Sequence, residues 1–148
     1  MLVGINFDRL IAERRAQKID KISINNNIRV LNVQESGVVT KQSDKAIDIQ
    51  FEFSAKFEPN VGQILITGTA IYVLPKKKTI QVLKEWKKNK KLPDDIVAEV
   101  LTALLARANV EAILLAKEVN LPPTIPMPKV EPPRKKSKDK NKDNSYIG

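Results

Sequence analysis

The clearest pattern of apolar and polar positions lies between residues 46 and 57. Apolar side chains occupy every second position there, and polar or charged side chains occupy the positions between them. A period of two is the side-chain period of a strand, because successive side chains point to opposite faces of a sheet. The segment is therefore predicted to be a strand with one buried and one wet face. Three of the four phenylalanines fall on the buried face: Phe51, Phe53 and Phe57.

Neighbouring segments predict further strands. A turn signal at 59–62 leads into a second strand over 63–74, whose two faces are both apolar. That strand is either covered on both sides or carries an assembly surface. Upstream, alternation over 22–30 changes parity at Leu31, which is typical of a β-bulge. The segment 5–16 fits a helix turn or a strand, and we favour a strand.

After Pro75 the spacing of apolar residues becomes helical. A short helix carries lysines on one side and four apolar residues on the other: Ile80, Val82, Leu83 and Trp86. Pro93 then starts a long helix that runs to about Val119, since proline is tolerated at the first helical position. Its apolar stripe is too wide to cover only one sheet, so we expect an oligomer, a dimer or tetramer, in which these helices meet. The residues expected at the interface are Val97, Leu101, Leu104, Leu105 and Ala108.

Together these elements predict an α+β fold. An antiparallel meander of three to four strands is packed by a short and a long C-terminal helix, in a single domain at residues 1–120. Six of the nine prolines then lie between Pro122 and Pro133, and they predict an extended strap over 121–133 that lies against the body. Residues 134–148 are basic and almost without apolar side chains, so they are predicted to be disordered.

The composition excludes much catalytic chemistry. The 148 residues contain neither Cys nor His, which excludes a cysteine zinc site, a disulfide, a thiol nucleophile and a Ser-His-Asp triad. We find no other catalytic constellation and expect a binding protein, not an enzyme, with no cofactor and no metal. The N-terminus is too polar for a signal peptide, and the most apolar stretch, 96–119, carries charges. We therefore expect a soluble cytoplasmic protein without membrane insertion.

The net charge of +9 is concentrated in two patches on a nearly neutral body. Residues 129–148 carry a net charge of +4, and residues 76–91 hold eight lysines against one glutamate. Basic patches of this kind contact phosphates in nucleic-acid-binding proteins, although a solvated helix face has the same composition. The basic patch consists of Lys76, Lys77, Lys78, Lys84, Lys87, Lys88, Lys90 and Lys91.

The order of elements resembles that of the SecB-type export chaperones and of small archaeal proteins assigned to a SecB-like fold. The resemblance covers about residues 5–128 and rests on element order and apolar pattern, without a signature motif. It is carried by the alternating strand 47–53, the hairpin into 62–66, the long helix 96–109 and the segment Asn-Leu-Pro-Pro at 120–123.

The resemblance implies a holdase chaperone that binds unfolded polypeptides along apolar grooves without nucleotide, works as a dimer of dimers and serves protein export. The aromatic residues that we expect in such a groove also fit an ordinary core: Phe51, Phe53, Phe57, Tyr72 and Trp86. The chain departs from the family in charge, since the bacterial members have an acidic docking face and an acidic tail. An alternative function is a ribosome- or RNA-associated accessory protein that uses the lysine-rich helix and the basic tail.

Overall fold

A computed structural model describes residues 1–15 and 21–125. The elements in chain order are β1 (Leu2–Arg14), β2 (Ser23–Glu35), β3 (Asp44–Glu58), β4 (Gly62–Pro75), α1 (Lys76–Asn89) and α2 (Asp94–Glu118). The predicted α+β fold is confirmed, and the ambiguous first segment is a strand. The predicted tail and the strap beyond residue 125 lie outside the described residues.

The four strands form one antiparallel sheet in the order β1-β4-β3-β2. β2, β3 and β4 make the predicted meander, whereas β1 pairs with β4, so β1 and β2 lie at opposite edges of the sheet. Alternation along a strand shows which face is buried but not which strand is its neighbour, so the sequence pattern could not place β1. The predicted bulge is confirmed, because the register of β2 against β3 shifts between Val30 and Asn32.

One face of the sheet is dry. Both helices lie on this face, α2 over β1 and β4 and α1 at one end of β2, β3 and β4. The dry face at its centre consists of Ile47, Ile49, Phe51, Phe53, Ala55 and Phe57 of β3 with their β4 partners Tyr72, Ala70, Gly68, Ile66, Ile64 and Gly62. None of these six dry-face residues of β3 is more than 1% exposed. The opposite face is covered by no described helix. Its apolar residues on β4, which are Leu65, Ile71 and Val73, are half-exposed.

Gly68 lets two phenylalanines from different strands meet. Its partners are Phe7 on β1 and Phe51 on β3, and their rings contact edge to face at a centroid distance of 6.1 Å. The Arg107 guanidinium from α2 lies over the Phe7 ring at 4.9 Å and donates a hydrogen bond to the Ile5 carbonyl. Because Gly68 has no side chain, Phe7 of β1 can contact Phe51 of β3 across β4, and Arg107 of α2 packs on the same aromatic pair.

α1 buries a different set of residues from the predicted one. Val82 and Trp86 face the sheet as expected, and Leu83 is half-buried. The prediction for Ile80 was wrong, since its side chain is 54% exposed and Thr79 is buried instead. Positions 79, 82 and 86 form one helical stripe, and the Thr79 hydroxyl is satisfied by donating to the Pro75 carbonyl.

α2 buries every fourth residue over its whole length: Ile96, Val100, Leu104, Ala108, Ala112 and Ala116. Because a helix has 3.6 residues per turn, a spacing of four moves this stripe around the helix by about 40° per step. Over the five steps from Ile96 to Ala116 the drift adds up to about 200°, so the buried side of the helix changes along its length. The first three residues pack on the cluster around Trp86 and the last three on the cluster around Phe53. The three alanines allow a close approach to the cluster around Phe53 and Ile66.

The chain after α2 crosses the end of the sheet. Asn120 adopts a left-handed conformation, and its carbonyl accepts a hydrogen bond from Arg14 on β1. Leu121 is buried against Gly62 of β4, and the Asn26 amide on β2 donates to the Thr124 carbonyl at 3.0 Å. Residues 120–125, called the crossing segment below, therefore contact both edges of the sheet.

The contact over Gly68 generates a stability prediction. A Cβ at this position would overlap the Asn6 carbonyl oxygen and lie 2.9 Å from Phe51 Cζ, so Gly68→Ala must push apart two strands. We expect a loss of about 1–3 kcal/mol in the free energy of unfolding, measured by urea denaturation. Gly37→Ala is the control, because nothing lies within 4 Å of a Cβ there, and it should change stability by less than about 0.5 kcal/mol. Equal effects of the two substitutions would contradict the packing described.

Candidate functional site

The five aromatic residues predicted to line a binding groove all lie in the core. Phe51 and Phe53 are 0% exposed, Phe57 is 1%, Tyr72 is 5% and Trp86 is 6% exposed. Their burial favours the alternative that the sequence also allows, an ordinary core between sheet and helices. In this conformation a bound polypeptide would have almost no ring surface to contact.

Apolar side chains stay accessible on the helix side of the sheet at both edge strands. Leu10 of β1, which pairs with Ile66, is 42% exposed, and β2 contributes three more. Ile24, Ile28 and Val30 pair with Phe57, Phe53 and Phe51 respectively, so they continue the dry face to the edge of the sheet. All three are only half-buried. Ile24 packs on the cluster around Phe57, Val30 on the cluster around Trp86, and Ile28 on both. They form a row, called the β2 row below, that begins near α1 at Val30. The crossing segment meets this row at Asn26, between Ile24 and Ile28, where the Asn26 amide donates to the Thr124 carbonyl.

β2 is also an edge strand, and its backbone is regular up to the bulge after Val30. It pairs with β3 and with no other described strand, and its register is unbroken over residues 23–30. β1, at the other edge, has two register shifts, between Leu2 and Gly4 and between Phe7 and Arg9. Bulges twist an edge and interrupt its hydrogen-bonding groups, whereas a regular edge is a template for another strand. The sequence pattern does not reveal this site, because the half-exposure of the β2 row depends on its position in the sheet.

The predicted interface residues on α2 divide into two groups. Leu104 and Ala108 are completely buried against the sheet, because they belong to the stripe of every fourth residue. Leu105 is 37% exposed, and Val97 and Leu101 are half-buried on the neighbouring row. Within a protomer, only the latter three offer surface to a second copy.

The side of α2 that points away from the sheet is almost uncharged. Every fourth residue from 98 to 114 is exposed, and none of these five carries a charge: Ala98, Thr102, Ala106, Val110 and Leu114. Val110 is 59% exposed and Leu114 is 52% exposed. The solvent-facing side of a helix ordinarily carries charged residues, so a long uncharged row with four apolar members indicates a partner surface. We call these five residues the outward row.

The eight lysines of the basic patch are all exposed, on α1 and in the turn that follows it. The ion pairs found among the described residues join Arg15 to Glu13, Arg29 to Glu52 and Lys45 to Glu35, so none involves these lysines. Within the described part of the chain, only Lys90 has an aromatic partner, with its ammonium 5.5 Å from the Trp86 ring centroid. The patch is therefore available to an external anion.

A hydrogen-bonded pair ties the start of β1 to α2. The Tyr72 hydroxyl donates to the Glu99 carboxylate at 2.5 Å, and the Leu2 amide donates to the same carboxylate at 3.2 Å. The hydrogen bond to Glu99, together with burial, raises the pKa of Tyr72 to about 12. The same bond, followed by that from Leu2, lowers the pKa of Glu99 below its ordinary value of 4.5. Neither group lines a described cavity, so we interpret the two pKa shifts as the result of a structural contact and not as the sign of a reactive site.

Residues 1–15 and 21–125 contain no group of acidic side chains that could hold a metal ion. None of the helices described is long and apolar enough to cross a membrane.

Comparisons with known proteins concern the fold. The sequence matches no family model, and no curated protein matches it. Among solved structures, the chain is similar to the SecB-like chaperone of Mycobacterium tuberculosis, which was solved in complex with a ChAD peptide from the HigA1 antitoxin. The superposition has a TM-score of 0.51 at 13% sequence identity and covers 90% of this chain and 91% of that chain. The likeness shows a SecB-like fold.

The Tyr72–Glu99 contact generates a pH prediction. A carboxylate whose pKa is lowered on folding stabilises the protein above its unfolded pKa of about 4.5, and this stabilisation is lost as the pH falls through the lowered value. Tyr72→Phe should therefore lower the thermal midpoint by roughly 2–4 °C at pH 7 and by much less near pH 3. Glu99→Gln keeps an acceptor but removes the titration, so adding Tyr72→Phe to it should have a pH-independent effect. A Tyr72→Phe difference that does not change with pH would contradict the assignment.

Proposed function

We propose that this protein is a SecB-like holdase chaperone that binds unfolded polypeptide without nucleotide. The observation that carries the proposal is the β2 row, three half-exposed apolar side chains beside a regular strand edge that pairs with no further described strand. An unfolded chain is rich in exposed apolar side chains and unpaired backbone groups, so this surface offers it both kinds of contact. The fold likeness to a SecB-like chaperone supports the same function.

Binding would occur by strand addition. A client segment laid along residues 23–30 would pair its backbone with the open edge and place alternate side chains next to Ile24, Ile28 and Val30. Main-chain hydrogen bonds do not depend on client sequence, and an apolar row accepts many side chains. Such a surface suits a chaperone of broad specificity. Cytoplasmic clients held unfolded for export are those that the resemblance to SecB-type proteins implies.

Assembly would use the outward row of α2. Small residues such as Ala98 and Ala106 let two helices approach closely, and Val110 and Leu114 supply apolar area. Leu101 and Leu105 flank this row on the same exposed side. The proposed interface therefore keeps part of the sequence prediction and replaces Leu104 and Ala108, whose side chains serve the protomer core. A dimer or tetramer built in this way leaves the edge of β2 open.

A second candidate function, association with RNA or the ribosome, rests on the exposed lysines of α1, which form no ion pair with another described residue. Lysine clusters of this density attract phosphates. Single-stranded nucleic acid also needs aromatic platforms for its bases, and Trp86, the aromatic residue of α1, is 6% exposed. The surface therefore supports peptide binding better than RNA binding.

Client binding generates the first functional prediction. Ile28→Thr keeps a β-branched side chain but removes apolar contact area, so it should weaken the affinity for an unfolded client about tenfold. Leu10→Thr is the matched control, because Leu10 is 42% exposed on the irregular edge strand β1. Affinity is measured by suppression of client aggregation, at a temperature where melting curves show both variants folded.

The control should suppress aggregation as the unchanged protein does, and binding should vary little between about 50 and 200 mM salt, since apolar burial does not depend on counterion release. Equal losses in the two variants, or a steep salt dependence, would count against binding at β2.

Assembly generates the next prediction. Leu114→Glu places a charge next to Val110, in the most apolar part of the outward row, so light scattering should show the 16.6 kDa monomer in place of an oligomer. Ile80→Glu makes the same change at a residue that is 54% exposed on α1 and should leave the oligomer intact. An unsubstituted protein that is already monomeric at micromolar concentration would contradict the proposed interface.

A further inference from the structure

A cleft of about 640 Å³ opens between α1 and the start of α2. Its floor is apolar and is formed by Leu74, Val82 and Ile96, each less than a tenth exposed. The volume falls within the range of roughly 300–1,000 Å³ that is usual for ligand pockets. Neither the β2 row nor the outward row lines this cleft, so the proposed chaperone function leaves it unused.

Three lysines line the cleft around this floor. Lys78, Lys84 and Lys88 project from α1, and none of them forms an ion pair with another described residue. Lys84 and Lys88 are four residues apart, so their ammonium groups lie on the same helix face and repel each other. Lys88 suits the last turn of α1, where the helix dipole favours a cation, but its repulsion with Lys84 remains, and an anionic ligand would relieve it.

Two carboxylates in the same lining decide which kind of anion fits. Glu85 and Asp95 lie among the lysines and accept hydrogen bonds but cannot donate them. A phosphodiester backbone carries a negative charge at every nucleotide and offers no donor at its phosphates, so these carboxylates oppose it. A peptide has spaced charges, and its backbone N–H groups can donate to Glu85 or Asp95. The apolar floor also requires a ligand with an apolar side chain.

We propose that the cleft binds an acidic amphipathic segment of a partner protein. One apolar side chain of the segment occupies the floor over Val82, and its flanking Asp or Glu side chains pair with Lys78, Lys84 and Lys88. This surface is separate from the β2 row, so a partner held here could stay bound while a client is exchanged.

The test measures the affinity for three fluorescent probes by anisotropy. The first is a short peptide with two leucines flanked by glutamates, the second has serine in place of the leucines, and the third is an RNA oligonucleotide of similar length. The proteins are the full chain, Lys84→Gln with Lys88→Gln, and Lys76→Gln with Lys77→Gln. The last variant is the matched control, because it removes the same charge from α1 at lysines that do not line the cleft.

The leucine-containing peptide should bind best and should lose about tenfold in affinity with Lys84→Gln and Lys88→Gln, which remove two charge pairs. The control variant should lose less than about twofold. Gln81→Trp, at an exposed residue of the lining, should obstruct the cleft and abolish binding with the core unchanged. Suppression of client aggregation should be unaffected by all these substitutions.

Equal losses in the two double variants would overturn the proposal and show a diffuse electrostatic attraction. Tighter binding of the RNA, or equal binding of the serine peptide, would also overturn it, since neither needs the apolar floor. Failure of the leucine-containing peptide to bind the full chain would do the same. The proposed chaperone function would stand in each of these cases, because it is measured at β2.

Discussion

The dry face of β3 and β4 is the constraint on which the rest of the structure depends. It runs along two strands of 15 and 14 residues, and its central side chains are excluded from water. Only two helices and the crossing segment are available among the described residues to cover it. The residues of each helix suit this cover, because α2 buries every fourth residue and α1 buries Val82 and Trp86. Gly68 keeps the centre thin enough for Phe7 and Phe51 to meet.

The cover is incomplete, and the proposed binding surfaces lie where it ends. α1 contacts one end of the β2 row and the crossing segment contacts β2 at Asn26, and the row stays half-exposed beside an open strand edge. α2 uses one side for the core, and its opposite side still carries Val110 and Leu114. The junction of α1 with α2 leaves an apolar cleft lined by lysines. These exposed apolar side chains are consistent with the proposed oligomer that binds unfolded polypeptides.

Much of the fold could be predicted from periodicity, because burial of one face imposes a period of two or of about 3.6 on the residues themselves. The strand around Phe51 and Phe53, the bulge after Val30 and the long helix were predicted in this way. Strand order was not, since the β1–β4 pairing leaves no mark in the alternation of either strand. The exposure of single residues was harder to predict than the elements. The apolar Ile80 is exposed and the polar Thr79 is buried, which is the reverse of what their polarity suggests.

The predicted site shows the same limit. Large aromatic residues are compatible with a binding groove and with a core, and only the arrangement of the helices places Trp86 inside. The β2 row consists of ordinary isoleucine and valine residues. Asn26, on the same face as Ile28, is a sequence signal that this face is less buried than that of β3, but it does not identify a binding site. The accessibility of the β2 row follows from its place in the last strand of the sheet, which is a property of topology.

The measurement that tests the account most directly is backbone hydrogen exchange with and without a permanently unfolded client. If clients add as a strand to the edge of the sheet, the amides of residues 23–30 that point away from β3 should gain protection on binding. These alternate amides become hydrogen-bonded to the client, whereas the others already bond to β3. The amides of β1 at the opposite edge should exchange as before. Protection that appears on β1 or α1 while residues 23–30 remain unchanged would show that clients bind elsewhere and would contradict the central claim.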